Sequence, residues 1–195
     1  MIARPSISDA VKHIRANKAL LAFLGRAILF YLVWVLVYYT NETLPILLNK
    51  WLTEFVAQHA LWLLQFADQA YSLGSYTKVA QSMEFNLSDG AITLYLNGIA
   101  QINIADSCNG LELYVLFIGF LVSYKQSVRN KTFFIVGGMI LLLAINALRI
   151  AGLALIHVYF THYFDFIHHY LFTATMYAGI FAVWYWFTNL KYASS

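Results

Sequence analysis

The segment from Leu20 to Tyr39 is a run of twenty residues in which Arg26 is the only charge. At about 1.5 Å per residue, a helix of this length crosses the hydrocarbon core of a bilayer, which is about 30 Å thick. Arg26 lies near enough to the inner end for its head group to reach the interface. The segment predicts a retained membrane anchor, because no small-residue cleavage site accompanies it.

Three further apolar segments predict additional spans. They cover residues 110–124, 132–153 and 170–188, and the first is short enough to fit only if it begins within the outer interface. Hydrophobic residues make up 61% of the chain and charged residues 11%, which excludes an ordinary soluble domain. The sequence therefore predicts an all-α polytopic membrane helix bundle, organised as a single domain over residues 1–195.

Basic residues orient the predicted spans. Those that precede the first span, connect the second to the third, or follow the last are Arg4, Lys12, Arg15, Lys18, Lys125, Arg129, Lys131 and Lys191. Short loops rich in lysine and arginine stay on the cytoplasmic side. Four spans with both termini cytoplasmic satisfy this distribution and predict a multi-pass protein of the plasma (inner) membrane. The net charge of +3 then reflects topology, and no nucleic-acid partner is expected.

Residues 41–107 are predicted to form an element on the outer face. From Leu44 to Tyr71 the chain is apolar but interrupted by polar residues, which favours an amphipathic helix at the interface. A packed pair of short crossings is the alternative. The runs AITLYL and IAQINIA are joined by Asn97-Gly98, a strong two-residue turn signal, and predict a small β-hairpin that leads into Cys108.

Cys108 is the only cysteine of the chain, so an intramolecular disulfide is excluded. Its predicted place between the hairpin and a helix puts it near a helix N-terminus, whose dipole favours a thiolate. In the predicted topology, Arg149 near the outer end of the third span lies at the same depth. His168 and His169, which open the fourth span, reach this depth as well.

Two more polar residues are candidates for supporting roles. Glu112 lies four residues after Cys108 on the same helix face, where it could pair with Arg149 or orient a histidine. Asn146 lies three residues before Arg149 and faces the same way.

A thiolate, an imidazole and a guanidinium suffice for acyl transfer. The thiolate attacks a carbonyl, the imidazole moves protons, and the guanidinium stabilises the developing oxyanion. Each residue type also has an ordinary role: a lone cysteine is usually a small apolar filler, and an intramembrane arginine is often structural. Their occurrence at one depth favours an enzyme.

Three strings, ADSCNGLELYVLFIGF, AINALRIAGLAL and FDFIHHYLFT, look like the signature blocks of the exosortase/archaeosortase family, in order. The resemblance covers roughly residues 44–189 and implies a membrane-embedded, sortase-like cysteine protease or transpeptidase on the outer face. Its partners would be exported proteins whose C-terminal sorting signal has a short motif, an apolar span and a basic tail. The acceptor would be an amine, a surface polymer or water, and membrane lipid surrounds the protein.

By this resemblance Cys108 is the nucleophile, Arg149 the motif arginine and His169 the histidine. His169 is preferred over His168 because Thr173 then stands at the place of the family's glycine, four residues later. Asn109 stands where serine is common in the family.

Two other functional classes stay open. A haem or redox subunit would use two histidines as axial ligands on facing helices, although here the histidines cluster on one loop and one helix start. A non-catalytic assembly or transport subunit would tolerate substitution of Cys108. Neither a metal nor another cofactor is expected, because the histidines lack a closed set of ligands with cysteine or carboxylate spacing.

Overall fold

The computed structural model describes residues 7–71, 82–85, 91–96, 99–105 and 108–190. Its main helices are α1 (Ile7–Thr40), α2 (Thr43–Tyr71), α3 (Leu111–Ser123), α4 (Val128–Tyr159), α5 (Phe164–Phe166) and α6 (Phe172–Asn189). A broken helical segment over residues 161–171, here called the lead-in segment, connects α4 to α6. It consists of a 3-10 helix (Thr161–Tyr163), α5 and a π-helix (Ile167–Leu171).

Among the described residues, three helices are long and apolar enough to cross a membrane: Lys18–Thr40, Val128–Tyr159 and Thr161–Asn189. They contain three of the predicted spans, and the predicted membrane helix bundle is confirmed. The fourth apolar helix, α3, has 13 residues. It is about 20 Å long and therefore shorter than the hydrocarbon core. The four-span arrangement, with its single domain, stays a prediction.

The predicted amphipathic helix is confirmed as α2. The side chain of Asn41 accepts hydrogen bonds from the backbone N–H groups of Thr43 and Leu44, at 3.0 and 2.8 Å, and so caps the helix start. One face of α2 is buried at helical spacing, as expected for an amphipathic helix. The residues of this face are Leu52, Thr53, Val56, Ala57, Ala60, Leu61 and Leu64.

The predicted hairpin is confirmed as strands β2 (Ile92–Leu96) and β3 (Ile99–Ile104), although its turn residues lie outside the described residues. The structure adds a strand that the sequence analysis did not predict, β1 (Ser82–Phe85). The sheet is antiparallel, with strand order β1-β2-β3. Its buried side chains share one apolar cluster with α2 and with the C-terminal half of α4. The sheet members of this cluster are Ile92, Leu94, Ile102 and Ile104.

A second apolar cluster packs α3 against α4 and α6, with Phe117, Leu121 and Ile180 among its fully buried members. Gly138 of α4 provides the close approach, because a Cβ there would overlap the Phe117 ring. At the opposite end of α3 from Cys108, Lys131 Nζ donates to the carbonyl oxygen of Val122 at 2.6 Å. The two clusters pack the sheet against α2 and α4 and fix the start of α3 beside α4.

Candidate active site

Cys108 lies in the short turn that joins the sheet to α3. Its backbone N–H donates to the carbonyl oxygen of Ala105 at 2.8 Å. The turn ends at Gly110, whose φ of 82° is left-handed and suits glycine. The Gly110 carbonyl then accepts from Leu113 and Tyr114, at 2.9 and 3.1 Å, and starts α3. The cysteine thus occupies the hairpin-to-helix junction expected from the sequence, three residues before the first residue of α3.

Asn146 of α4 holds this turn from one side. The side chain is fully buried, and its Nδ2 donates to the carbonyl oxygens of Cys108 and Asn109, at 3.3 and 2.9 Å. A buried amide that bonds two consecutive carbonyls restricts the position of the backbone that carries the thiol. The expected supporting residue Asn146 therefore contacts the cysteine turn directly, and Arg149 follows it one helical turn later.

Arg149 contacts His168 of the lead-in segment. Its Nη2 lies 3.5 Å from His168 Nε2, and both side chains are half-buried. A guanidinium can only donate, so a hydrogen bond at this contact uses the Nε2 lone pair of the tautomer that is protonated on Nδ1. Arg149 Nε is buried and has no hydrogen-bond partner in the described part of the chain. The guanidinium thus contacts the imidazole through Nη2 and retains an unused donor at Nε.

His168 and His169 both lie in the π-helix of the lead-in segment, but their exposure differs. The His168 ring lies 5.7 Å from the Phe164 ring and is half-buried, whereas His169 is exposed. The two imidazole rings are 4.8 Å apart. Single π-helical turns inside α-helices often occur at functional sites. The structure therefore favours His168 as the partner of Arg149, opposite to the preference for His169 drawn from the sequence.

Cys108 and the lead-in segment pack against the same apolar cluster. Cys108, Phe164 and Phe172 are partly buried against it, and the α4 residues next to Arg149, including Ile150, belong to it. The cysteine turn, the arginine helix and the histidine segment therefore meet around one group of side chains. That Cys108, Arg149 and a histidine act together in one site stays a prediction.

Glu112 forms no ion pair with Arg149 in the described part of the chain. Within the described residues, the only ion pair joins Lys50 to Glu54, at 3.9 Å. Glu112 is exposed and lines an apolar groove of about 570 Å³ between α1, α3 and α6, together with Tyr38 and Trp184. A supporting role beside the arginine is therefore not favoured by the position of this carboxylate.

A buried polar contact between α2 and the cysteine turn was not predictable from the spacing of the residues. Asn109 is fully buried, and its Nδ2 donates to Asn49 Oδ1 at 2.9 Å. Only the unusual asparagine beside the cysteine signalled this contact. No group of three or more histidine, cysteine, aspartate or glutamate side chains among the described residues is arranged to hold a metal ion.

The fold and the site define a membrane protein in which one helix, α4, is hydrogen-bonded to the turn of the single cysteine and also carries an arginine in contact with a histidine. The family model of transmembrane exosortases matches residues 16–186, and the chain belongs to this family. The match includes the cysteine turn, α4 and both adjacent histidines, and it confirms the resemblance described above. The chain has no significant match among curated proteins or among solved structures.

Proposed function

We propose that this chain is a membrane cysteine transpeptidase or protease that cleaves the C-terminal sorting signals of exported proteins. Membership of the exosortase family supports the class of protein. The contact of Arg149 with His168 next to the cysteine turn is the observation that carries the proposal. It supplies an oriented imidazole and an unused buried donor, and α4, which carries the arginine, is hydrogen-bonded through Asn146 to the turn that holds the only thiol of the chain.

Cys108 is the proposed nucleophile of the first step. His168 takes the thiol proton, the sulfur bonds to the scissile carbonyl carbon, and the carbonyl oxygen becomes an oxyanion. Arg149 donates to this oxyanion. The carbon–nitrogen bond then breaks, and His168 gives its proton to the leaving amine. The products are a thioester on Cys108 and the released C-terminal segment of the substrate.

Arg149 takes part both in binding the substrate carbonyl oxygen and in controlling the base, His168. In the resting contact its guanidinium donates to His168 Nε2, the atom that must take the thiol proton. A substrate oxygen that accepts from Arg149 would compete for this donor and leave the Nε2 lone pair available. Binding of the scissile carbonyl and activation of the base are thereby coupled through one side chain.

The second step resolves the thioester. An amine, a surface-polymer group or water attacks the thioester carbon, the carbon–sulfur bond breaks, and His168 passes the proton of the attacking group to the departing sulfur. An amine gives transfer, and water gives hydrolysis. In the orientation expected from the basic residues, these steps take place at the outer face of the plasma membrane.

The proposal is tested with purified protein in liposomes and an exported protein that ends in a short motif, an apolar span and a basic tail. Wild-type protein should release the C-terminal segment, and added hydroxylamine should capture the acyl group as a hydroxamate on the new C-terminus. Cys108→Ala should lower processing by at least about 10³-fold. His59→Ala, on the exposed side of α2, is the matched control. Normal processing by Cys108→Ala would exclude the thioester mechanism.

A further inference from the structure

Asn109 connects the cysteine turn to two helices with one side chain. Its Nδ2 donates to Asn49 Oδ1 at 2.9 Å and lies 3.4 Å from Thr53 Oγ1, both on α2. Its Oδ1 accepts the backbone N–H of Leu111, the first residue of α3, at 2.9 Å. The side chain is fully buried. Burying an amide is costly unless its groups are hydrogen-bonded, and here both ends are used.

The same turn is held from the opposite side by Asn146. This α4 amide bonds the carbonyl oxygens of Cys108 and Asn109, whereas Asn49 of α2 bonds the Asn109 side chain. The turn is therefore fixed between α2 and α4 by hydrogen bonds to consecutive residues. Movement of either helix relative to the other would displace the backbone that carries the thiol.

Asn49 extends this connection to α1. Its Nδ2 donates to the hydroxyl oxygen of Tyr38 at 3.1 Å, while its Oδ1 accepts from Asn109. One amide thus joins the outer end of α1 to the cysteine turn. Because hydrogen bonds are directional, this chain restricts the position of the turn more narrowly than apolar contacts would.

We propose that Asn49 and Asn109 are positioning residues that hold Cys108 in the orientation required for attack. Neither residue touches the reacting atoms. They act through the backbone of the turn, which they align with Arg149 and His168. The inference rests on the proposed cysteine mechanism and adds to it a requirement on α2, the helix outside the three signature blocks.

The kinetic test compares Asn49→Ala, Asn109→Ala and the double variant with wild type. Each single variant should lower kcat by about 10²-fold with little change in KM, because misplacement by about 1 Å has effects of this size. The double variant should be no worse than Asn109→Ala, because Asn109→Ala already removes the bond to Asn49. Asn49→Asp should regain most of the activity, since a carboxylate still accepts from Asn109 and can accept from the Tyr38 hydroxyl.

Leu121→Ala is the control for lost stability. Leu121 is fully buried near the far end of α3, away from the turn. It should lower the Tm and leave kcat near the wild-type value. If Asn49→Ala and Asn109→Ala lose activity only in proportion to their loss of folded protein, as expected for Leu121→Ala, or retain kcat within about twofold, the positioning role is excluded.

A second measurement does not depend on substrate processing. Iodoacetamide should alkylate Cys108 severalfold faster in both single variants, because release of the turn exposes the half-buried sulfur, with no further increase in the double variant. Leu121→Ala should alkylate at the wild-type rate. This alkylation pattern without any processing by the wild type would show that Asn49 and Asn109 hold the cysteine turn in place, but would count against the proposed function and against a role in attack. Unchanged alkylation in both asparagine variants would overturn the positioning role.

Discussion

His168 and His169 are consecutive residues with different surroundings. His168 lies against the Phe164 ring and faces the Arg149 guanidinium, whereas His169 is exposed. A proton-transfer group must be held in a defined position and tautomer near the reacting atoms. The contact with Arg149 provides both for His168.

Substitution of the two histidines separates their roles. His168→Ala should lower kcat by about 10² to 10⁴-fold, the usual contribution of a general acid–base group. His169→Ala should stay within about threefold of wild type, as for most exposed positions. His162→Ala, also exposed, is the control. The measurement is the rate of sorting-signal cleavage at saturating substrate. A larger loss in His169→Ala would return the proton-transfer role to the histidine favoured by the sequence.

The types of site residue were predictable, but their partners were not. Cys108 and Arg149 are noticeable because polar residues are rare at their depth in a membrane protein. Asn49 and Asn109 are 60 positions apart, so their hydrogen bond has no local sequence signal. The choice between His168 and His169 depends on a π-helix, which shifts the side chains relative to a regular α-helix. The preference for His169 rested on the family's spacing to Thr173, which does not determine which imidazole contacts Arg149.

Within α4, two adjacent glycines have different environments. A Cβ on Gly138 would overlap the buried Phe117 ring of α3, whereas a Cβ on Gly137 would meet no atom within 4 Å. The α3–α4 approach therefore depends on one of the two glycines. Because α3 begins at the cysteine turn, this packing also fixes the position of the turn along the axis of α4.

Alanine at each glycine tests this difference. Gly137→Ala should stabilise the protein slightly or leave it unchanged, since alanine is favoured over glycine in a helix interior by about 0.5–1 kcal/mol. Gly138→Ala should destabilise it by about 1–3 kcal/mol through overpacking against Phe117. The thermal unfolding of the two variants in detergent gives the comparison directly. Equal Tm values would show that α3 and α4 do not pack as closely as described.

The local sequence pattern predicted the long helices and two of the three strands, but it did not predict the short strand β1. Long apolar runs predicted the helices, and alternating apolar residues around Asn97-Gly98 predicted β2 and β3. Strand β1 has only four residues, Ser82–Phe85, and it gains its structure by pairing with β2. Such a strand depends on a partner and not on its own sequence, so composition alone did not reveal it.

At the scale of the whole molecule, the proposed topology places the sheet and the cysteine turn outside. Lys125 of the α3–α4 connection and Arg129 at the start of α4 would then lie in the cytoplasm. The Glu42 position, between α1 and α2, would lie outside. Both Lys125 and Glu42 are exposed in the structure, so reporter thiols at these positions are accessible to solvent.

The test introduces Glu42→Cys or Lys125→Cys into a Cys108→Ser background, in which no other thiol is present. A membrane-impermeant maleimide applied to intact cells, with access through any outer envelope secured, should label the Glu42→Cys protein. The Lys125→Cys protein should be labelled only after the inner membrane is permeabilised. Labelling of Lys125→Cys from outside would reverse the orientation and exclude an outward-facing site.

The length of α4 has a consequence for the substrate. Arg149 lies 21 residues after the first residue of α4, Val128, a distance of about 32 Å along the helix axis and close to the thickness of the hydrocarbon core. In the proposed orientation, the part of α4 from Val128 to Arg149 spans the hydrocarbon core, from its cytoplasmic edge to the depth of the site. A substrate whose basic tail stays at the cytoplasmic edge would reach the site only if its apolar segment has about the same length. Removing two turns from its apolar segment would draw the scissile bond about 10 Å into the lipid, below the reach of Cys108.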